Sequence, residues 1–334
     1  MGESLDGRPA ALFRLEFGGS LGWGHLVRSG ALAAELRRRG WRCDLWTRSS
    51  PASAPAALSQ AFTRVLPLEG DDAQLPAGYA WVVVDHYATS DERLRAWRAQ
   101  GRGRILAIDD EATRRLEAAD LVLNARLGLE ESPYPPHVRT LLGSSFALLR
   151  PELWQPIAPP WSVTPDVAPV LVTLGGTDPA GALGTVLEAL AEVDPVGLAP
   201  IVVRPSGAPD SPAFAEVMCR FRHTTVLAAV SASEFAGWVG MCRFAVSAAG
   251  GTLYELAALG LPFVSVVVAD NQRALSRAAQ VHWGMPSVEF GGTDVRGELA
   301  GAIRDLMAHD RRADARLAGI DAHGAARVAQ AMGA

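Results

Sequence analysis

A chain of 334 residues with 49% hydrophobic and 20% charged residues has enough apolar material for two globular cores. Its formal net charge of −5 has the wrong sign for a general nucleic-acid or anionic-membrane binder, so neither partner is expected. All 31 basic residues are Arg; without Lys, the P-loop kinases, pyridoxal enzymes and Schiff-base aldolases are excluded.

Short β-rich runs alternate with amphipathic stretches from the start of the chain. Residues 11–16 read as a strand, followed by a glycine loop and a helix over 25–39 with Leu26, Ala33 and Leu36 on one face. Residues 41–47, 81–85, 104–108 and 121–124 are further strands, and 91–99 and 111–118 have helical pattern. The stretch 155–169 holds five prolines and no periodicity, and reads as a linker. The same logic then restarts: strands over 170–174, 201–204, 244–247 and 263–268, helices over 180–191 and 252–259, and a helical tail over 296–332. Alternating β and α units imply parallel sheets with crossover helices. The expected fold class is α/β, with two Rossmann-like domains, 10–154 and 170–334, facing a central cleft.

Cys43, Cys219 and Cys242 form no CxxC pair, which argues against a disulfide scaffold or structural zinc and for a reducing compartment. No apolar run is long enough to span a membrane, and the first residues lack the regions of a signal peptide. A cytoplasmic monomer is expected.

Three places carry residues suited to chemistry. The first is the loop from Gly19 to Arg28 between the first strand and helix, where Gly22 and Gly24 let the backbone turn tightly. Loops at the carboxyl ends of parallel strands are where ligands bind. His25 opens the helix, where the dipole disfavours the imidazolium; a neutral imidazole is what a general base must be. Arg28, three residues on, shares its face. The second place is Ser247 to Glu255, where a strand ends in Gly250-Gly251 and a helix starts at Thr252. Free N–H groups there can cradle a diphosphate, and Glu255 can accept from two ribose hydroxyls. Thr252 and Glu255 also have capping-box spacing, which needs no ligand. The third is Asp85-His86-Tyr87 ending an apolar strand, with Asp109-Asp110 ending the next. These four acidic and imidazole groups lack metal-ligand helix spacing, so no metal is expected. Gly175-Gly176-Thr177-Asp178-Pro179 and Asp270-Asn271-Gln272 are further strand-to-helix corners that suit a turn, a cap or a contact equally.

Taken in order, Gly22-Trp23-Gly24-His25 with Arg28, Asp85-His86-Tyr87, Asp109-Asp110, Leu142-Gly143 to Glu152, Gly175 to Pro179, Gly250-Gly251-Thr252 with Glu255, and Asn271-Gln272 form a specific set. The set resembles the UDP-2,4-diacetamido-2,4,6-trideoxy-β-L-altropyranose hydrolases of pseudaminic acid biosynthesis, over about residues 11 to 310. The resemblance implies a GT-B-like fold and hydrolysis without metal or other cofactor, with water attacking the anomeric carbon, UDP departing and configuration inverting. His25 then matches the catalytic residue. Gly22, Gly24, Arg28, Asp85, Tyr87 and Asn271 fall on the substrate side. Gly175, Gly176, Gly250, Gly251, Thr252, Glu255 and Gln272 fall on the UDP side, with uracil read by backbone groups around 230–232. The first strand departs from the family pattern by ending Arg14-Leu15-Glu16, with Glu where Asp is usual, a change that could shift sugar preference.

Two other classes fit the same residues. A GT-B glycosyltransferase would use the same UDP cleft but needs an acceptor surface, and the Ala/Ser/Pro-rich loop 48–60 offers neither an apolar nor a basic patch. A non-catalytic UDP-sugar binder would have no use for a base at His25.

Overall fold

The computed structural model describes residues 7–50, 60–70, 73–101, 103–160, 166–175, 178, 181–204, 212–228, 230–308 and 319–334. The chain divides into two compact units, residues 1–150 with 321–334, and residues 151–320.

Unit 1 is built on a seven-stranded sheet. In chain order its strands are β1 (Ala10–Leu15), β2 (Arg42–Thr47), β3 (Arg64–Pro67), β4 (Trp81–Asp85), β5 (Arg104–Ile108), β6 (Leu121–Asn124) and β7 (Arg139–Leu142). Their spatial order is β3-β2-β1-β4-β5-β6-β7, and all pairs are parallel. A sheet covered on both faces needs continuous apolar strands, and Trp81-Val82-Val83-Val84 supplies one. Alternation along β1 divides the core. Ala11, Phe13 and Leu15 pack with Leu26, Leu32 and Leu36 of helix α1 (Gly24–Arg38). Ala10 and Leu12 pack on the other side with Trp46, Val82, Leu94 and Trp97.

Unit 2 holds a six-stranded sheet of β8 (Ala168–Thr173), β9 (Leu198–Arg204), β10 (Thr225–Ala228), β11 (Phe244–Ala248), β12 (Phe263–Val267) and β13 (Ser287–Glu289). Its order is β10-β9-β8-β11-β12-β13, again all parallel. In each sheet the strand order reverses once, at β1/β4 and at β8/β11. Crevices at such switch points are where open α/β sheets bind ligands.

The structure departs from the sequence expectation in four places. Residues 111–118 are not a helix: Ala112 and Leu116 have φ of 58° and 53°, and the segment is tied down by bonds from the Ala112 N–H to Asp109 and from the Leu116 N–H to Asp91. The expected linker over 155–169 runs into β8, because Ala168 and Pro169 already pair with Leu198 and Ala199. Pro is tolerated at this early strand position. The division between units falls at Arg150/Pro151 rather than after 154. The tail does not all belong to the second domain, since helix Gly324–Met332 lies in unit 1. There Val328, Ala329 and Met332 join the α1 side of the core, and Trp81 Nε1 donates to the Met332 carbonyl at 2.9 Å.

That last helix approaches very closely. A Cβ added at Gly324 would lie 2.0 Å from the Ala147 carbonyl oxygen. Gly324→Ala should therefore destabilise the protein by about 1–3 kcal/mol, as overpacking does. Gly301, inside helix Val295–Ala308, would meet nothing within 4 Å, and Gly301→Ala should stabilise by about 0.4–1 kcal/mol. Urea titration of both variants checks the opposite signs.

Candidate functional site

Helix α1 starts at the carboxyl edge of the unit 1 sheet, immediately after a loop in which Gly22 has φ of 66°. Its first turns put His25, Arg28 and Ser29 on one face at i, i+3 and i+4 spacing. All three converge on Asp85, the last residue of β4, whose side chain is fully buried. His25 Nδ1 lies 2.7 Å from Asp85 Oδ1. Arg28 donates from Nε to Oδ2 at 2.8 Å and from Nη2 to Oδ1, and the Ser29 hydroxyl donates to Oδ2 at 3.0 Å. Arg28 Nη1 also donates to Asp110 Oδ2 at 2.7 Å, and the Tyr87 hydroxyl donates to the same oxygen. The Tyr87 ring stands edge-on to His25, with centroids 5.0 Å apart.

Burial alone would raise the Asp85 pKa. The Arg28 guanidinium and then His25 outweigh it and hold the carboxyl well below the usual range. An ionised Asp85 facing Nδ1 assigns the imidazole tautomer. Nδ1 carries the proton and donates, and Nε2 is left as a bare acceptor. An imidazole oriented by a carboxylate on one nitrogen and basic at the other is a general-base arrangement.

A second layer surrounds this cluster. Glu16, the residue after β1, is enclosed by partners. Its carboxylate accepts from Arg14, from the Thr47 and Ser49 hydroxyls and from the N–H groups of Arg48 and Ser49. Burial opposes its charge, but the bonds to Ser49, Arg48 and Thr47, with Arg14 nearby, hold its pKa below the ordinary value. The longer side chain thus stitches β1 to the turn after β2. His86 Nδ1 lies 2.9 Å from the Thr89 hydroxyl and 3.5 Å from Arg14. Asp109 accepts from the Ala112 N–H and from Arg114 and Tyr134, fixing the loop after β5. Among the described residues, no group of three or more His, Cys, Asp and Glu side chains is placed to hold a metal ion.

Unit 2 brings the loop after β8 and the loop after β11 to neighbouring strand ends. Gly175 has φ of 83°; Gly176, Thr177 and Pro179 lie outside the described residues. The Asp178 carboxylate accepts from the Ala182 and Leu183 N–H groups, so it caps the next helix. Gly250 and Gly251 need no positive φ, and a Cβ at either would meet nothing within 4 Å. The fold itself does not demand glycine there, whereas a ligand lying against the backbone would. Helix Thr252–Ala258 is preceded by Gly251 and has no side-chain cap bond, so Thr252 and Glu255 do not form the capping box their spacing allows. The box forms instead at Ser231 and Glu234, where it uses the Ser231 N–H within the 230–232 segment expected to read uracil. Glu255 is buried, Asn271 is exposed, and the Gln272 side-chain oxygen accepts from the Val268 N–H at 2.9 Å.

The cluster thus gathers His25, Arg28, Asp85 and Tyr87 from the expected residues. It adds Asp110 as the carboxylate shared by Arg28 and Tyr87, together with Ser29. The helical spacing of Ser29 to His25 was a legible signal for the latter. No membrane-crossing helix is present among the described residues.

Burial first, then the Arg14 cation, pushes His86 down from 6.5 to about 4. The unfolded chain therefore binds a proton that the native state refuses, and stability falls as pH drops from about 6.5 towards about 4. Above that window the contribution of His86 is fully present. Urea titrations at about pH 7.5 and about pH 4.5 should show the His86→Asn variant losing less stability on acidification than the parent.

No protein-family model matches the sequence, and no curated relative does. Solved structures of similar fold do. The calicheamicin glycosyltransferase CalG4 superposes with a TM-score of 0.63 at 14% identity, over 97% of this chain and 98% of that one. MurG of Acinetobacter baumannii gives 0.66 at 14% identity, over 97% and 99%. A Listeria monocytogenes protein assigned as a UDP-N-acetylglucosamine 2-epimerase gives 0.63 at 13% identity, over 96% and 94%. At such identities the likeness is one of fold: this chain has the GT-B-like fold, two Rossmann-like domains each built on an all-parallel sheet.

Proposed function

We propose that the protein substitutes at the anomeric carbon of a nucleoside-diphosphate sugar, UDP being the expected nucleotide, and moves the glycosyl group to an acceptor oxygen. The observation that carries this reading is the His25–Asp85 pair at the β1/β4 switch point, with Nδ1 2.7 Å from the carboxylate. In one displacement, His25 Nε2 takes the proton of the acceptor O–H, that oxygen bonds to the anomeric carbon, and the bond from this carbon to the diphosphate oxygen breaks. UDP leaves with the electron pair. Gly250, Gly251 and Thr252 receive the diphosphate and Glu255 the ribose hydroxyls, supported by the open space over the two glycines. Gly175, at positive φ after β8, lines the same side. Tyr87, Gly22 and Gly24 contact the sugar.

The acceptor separates two readings. The neighbouring structures named as glycosyltransferases, among them CalG4, the kitacinnamycin enzyme and the spinosyn rhamnosyltransferase SpnG, favour a hydroxyl-bearing acceptor. The ordered motif set favours water, which makes the protein a hydrolase of a UDP-linked deoxy-diacetamido sugar on the way to pseudaminic acid. The fold likeness gives transfer the stronger support. Both readings use the same base and predict inversion, because a single displacement brings the acceptor oxygen in opposite the departing diphosphate.

Turnover of a UDP-sugar panel in ¹⁸O-water, with and without added alcohols, decides between them. UDP release that requires an alcohol identifies a transferase. Release in water alone, with label in the free sugar and none in UDP, identifies a hydrolase. Label in phosphate overturns the common mechanism. His25→Ala should slow turnover by roughly 10²–10⁴.

The nucleotide half is testable without turnover. UDP should raise the melting temperature by mass action, Glu255→Ala should largely abolish the rise, and His25→Ala should keep it. An unchanged UDP response in Glu255→Ala removes Glu255 from the site.

A further inference from the structure

Arg28 would ordinarily be assigned to the diphosphate, as a cation beside a glycine loop. The geometry points to a different duty: we infer that Arg28 is a positioning residue for the Asp85–His25 pair, and that the substrate group held beside His25 carries no phosphate, carboxylate or other anion. This inference rests on the reading of His25 as the base.

Every nitrogen of the guanidinium is already committed to a carboxylate. Nε and Nη2 go to the two oxygens of Asp85, and Nη1 goes to Asp110. Only 23% of the Arg28 side chain is exposed. A guanidinium gripping one carboxylate through two nitrogens and a second through the third is a rigid strut, because its planar fork fixes both partners. It ties α1 to the ends of β4 and β5 and holds Asp85 Oδ1 against His25 Nδ1.

The charge balance follows. One guanidinium against two carboxylates leaves the cluster net negative while His25 is neutral. Among the described residues His25 meets Asp85 from β4, Arg28 from α1, and Tyr87 and His86 from the loop after β4, and Asp110 from the loop after β5 is bound to Arg28 and Tyr87. The Tyr87 hydroxyl is turned onto Asp110 and offers no donor to an anion. What remains for a ligand is a bare Nε2, an aromatic ring and the half-exposed Asp110 carboxylate. That surface accepts hydroxyl and amide N–H groups and repels phosphate.

The test compares the parent with Arg28→Gln, Arg28→Lys and Asp110→Asn by UDP calorimetry and by proton NMR of the His25 ring against pH. UDP affinity should stay within about twofold in all four proteins. The His25 charge transition should move to higher pH in Arg28→Gln, where Asp85 has lost its cation. Lys should restore it only in part, since an ammonium cannot bridge two carboxylates as the fork does. A loss of UDP affinity of about tenfold or more in Arg28→Gln, or an unmoved transition, overturns the inference. Should Arg28→Gln fail to fold, Asp110→Asn vacates no buried position and decides alone. A transition displaced to lower pH with unchanged UDP affinity supports the strut; an unmoved transition or about tenfold tighter UDP overturns it. UDP-glucuronate should bind the parent at least about tenfold more weakly than UDP-glucose, and equal or tighter binding overturns the charge assignment. A parent protein that binds no UDP at all sinks the nucleotide-sugar reading instead, and leaves the NMR comparison standing.

Discussion

A carboxylate without solvent is stable only if donors surround it, and Asp85 is fully buried at the end of β4. Moving such a charge out of water costs several kcal/mol unless it is paired and hydrogen-bonded. Here His25, Arg28 and Ser29 supply four bonds to its two oxygens. The cost explains why three residues of one helix turn are committed to a single side chain. It also fixes how α1 meets the sheet, since a helix rotated by one residue would leave Asp85 charged and unpaired.

That constraint holds His25 in one orientation in the first unit, while the second unit has open backbone at Gly250 and Gly251. Both oxygens of Asp85 have assigned partners. Around Gly250 and Gly251 the side chains are missing by choice of sequence, and the space above them is empty. The contrast suits the two tasks proposed for these places. A base must be held in one orientation, whereas a diphosphate is gripped by whatever N–H groups can approach it closely. Both places sit at switch points of their sheets, a position the two units share through their common strand order.

The central strands could be read from sequence because parallel strands buried on both faces are unbroken apolar runs, as in residues 81–84 and 263–264. Edge strands such as Arg64–Pro67, Thr225–Ala228 and Ser287–Glu289 were not legible, being short, half-exposed and mixed in composition. The segment 111–118 misled because Ala, Leu and Glu favour helices, while two residues at positive φ and tethers to Asp91 and Asp109 override that preference. At the site, helix spacing exposed His25 with Arg28, but nothing local linked either to Asp85, 60 residues from His25. The sequence likewise held no hint that Glu16 is absorbed by the turn after β2, since its partners Thr47 and Ser49 meet it only through strand pairing.

The helix Gly324–Met332 gives the two units different histories during synthesis. Unit 2 is a continuous segment, complete once residue 320 has emerged. Unit 1 begins first and finishes last, for the groove beside α1 waits for Val328 and Met332, and Trp81 waits for the Met332 carbonyl. Throughout translation of the intervening residues the α1 side of the first core therefore has an apolar face with nothing against it. A ribosome stalled between the two events would carry a finished second unit attached to an unsealed first one.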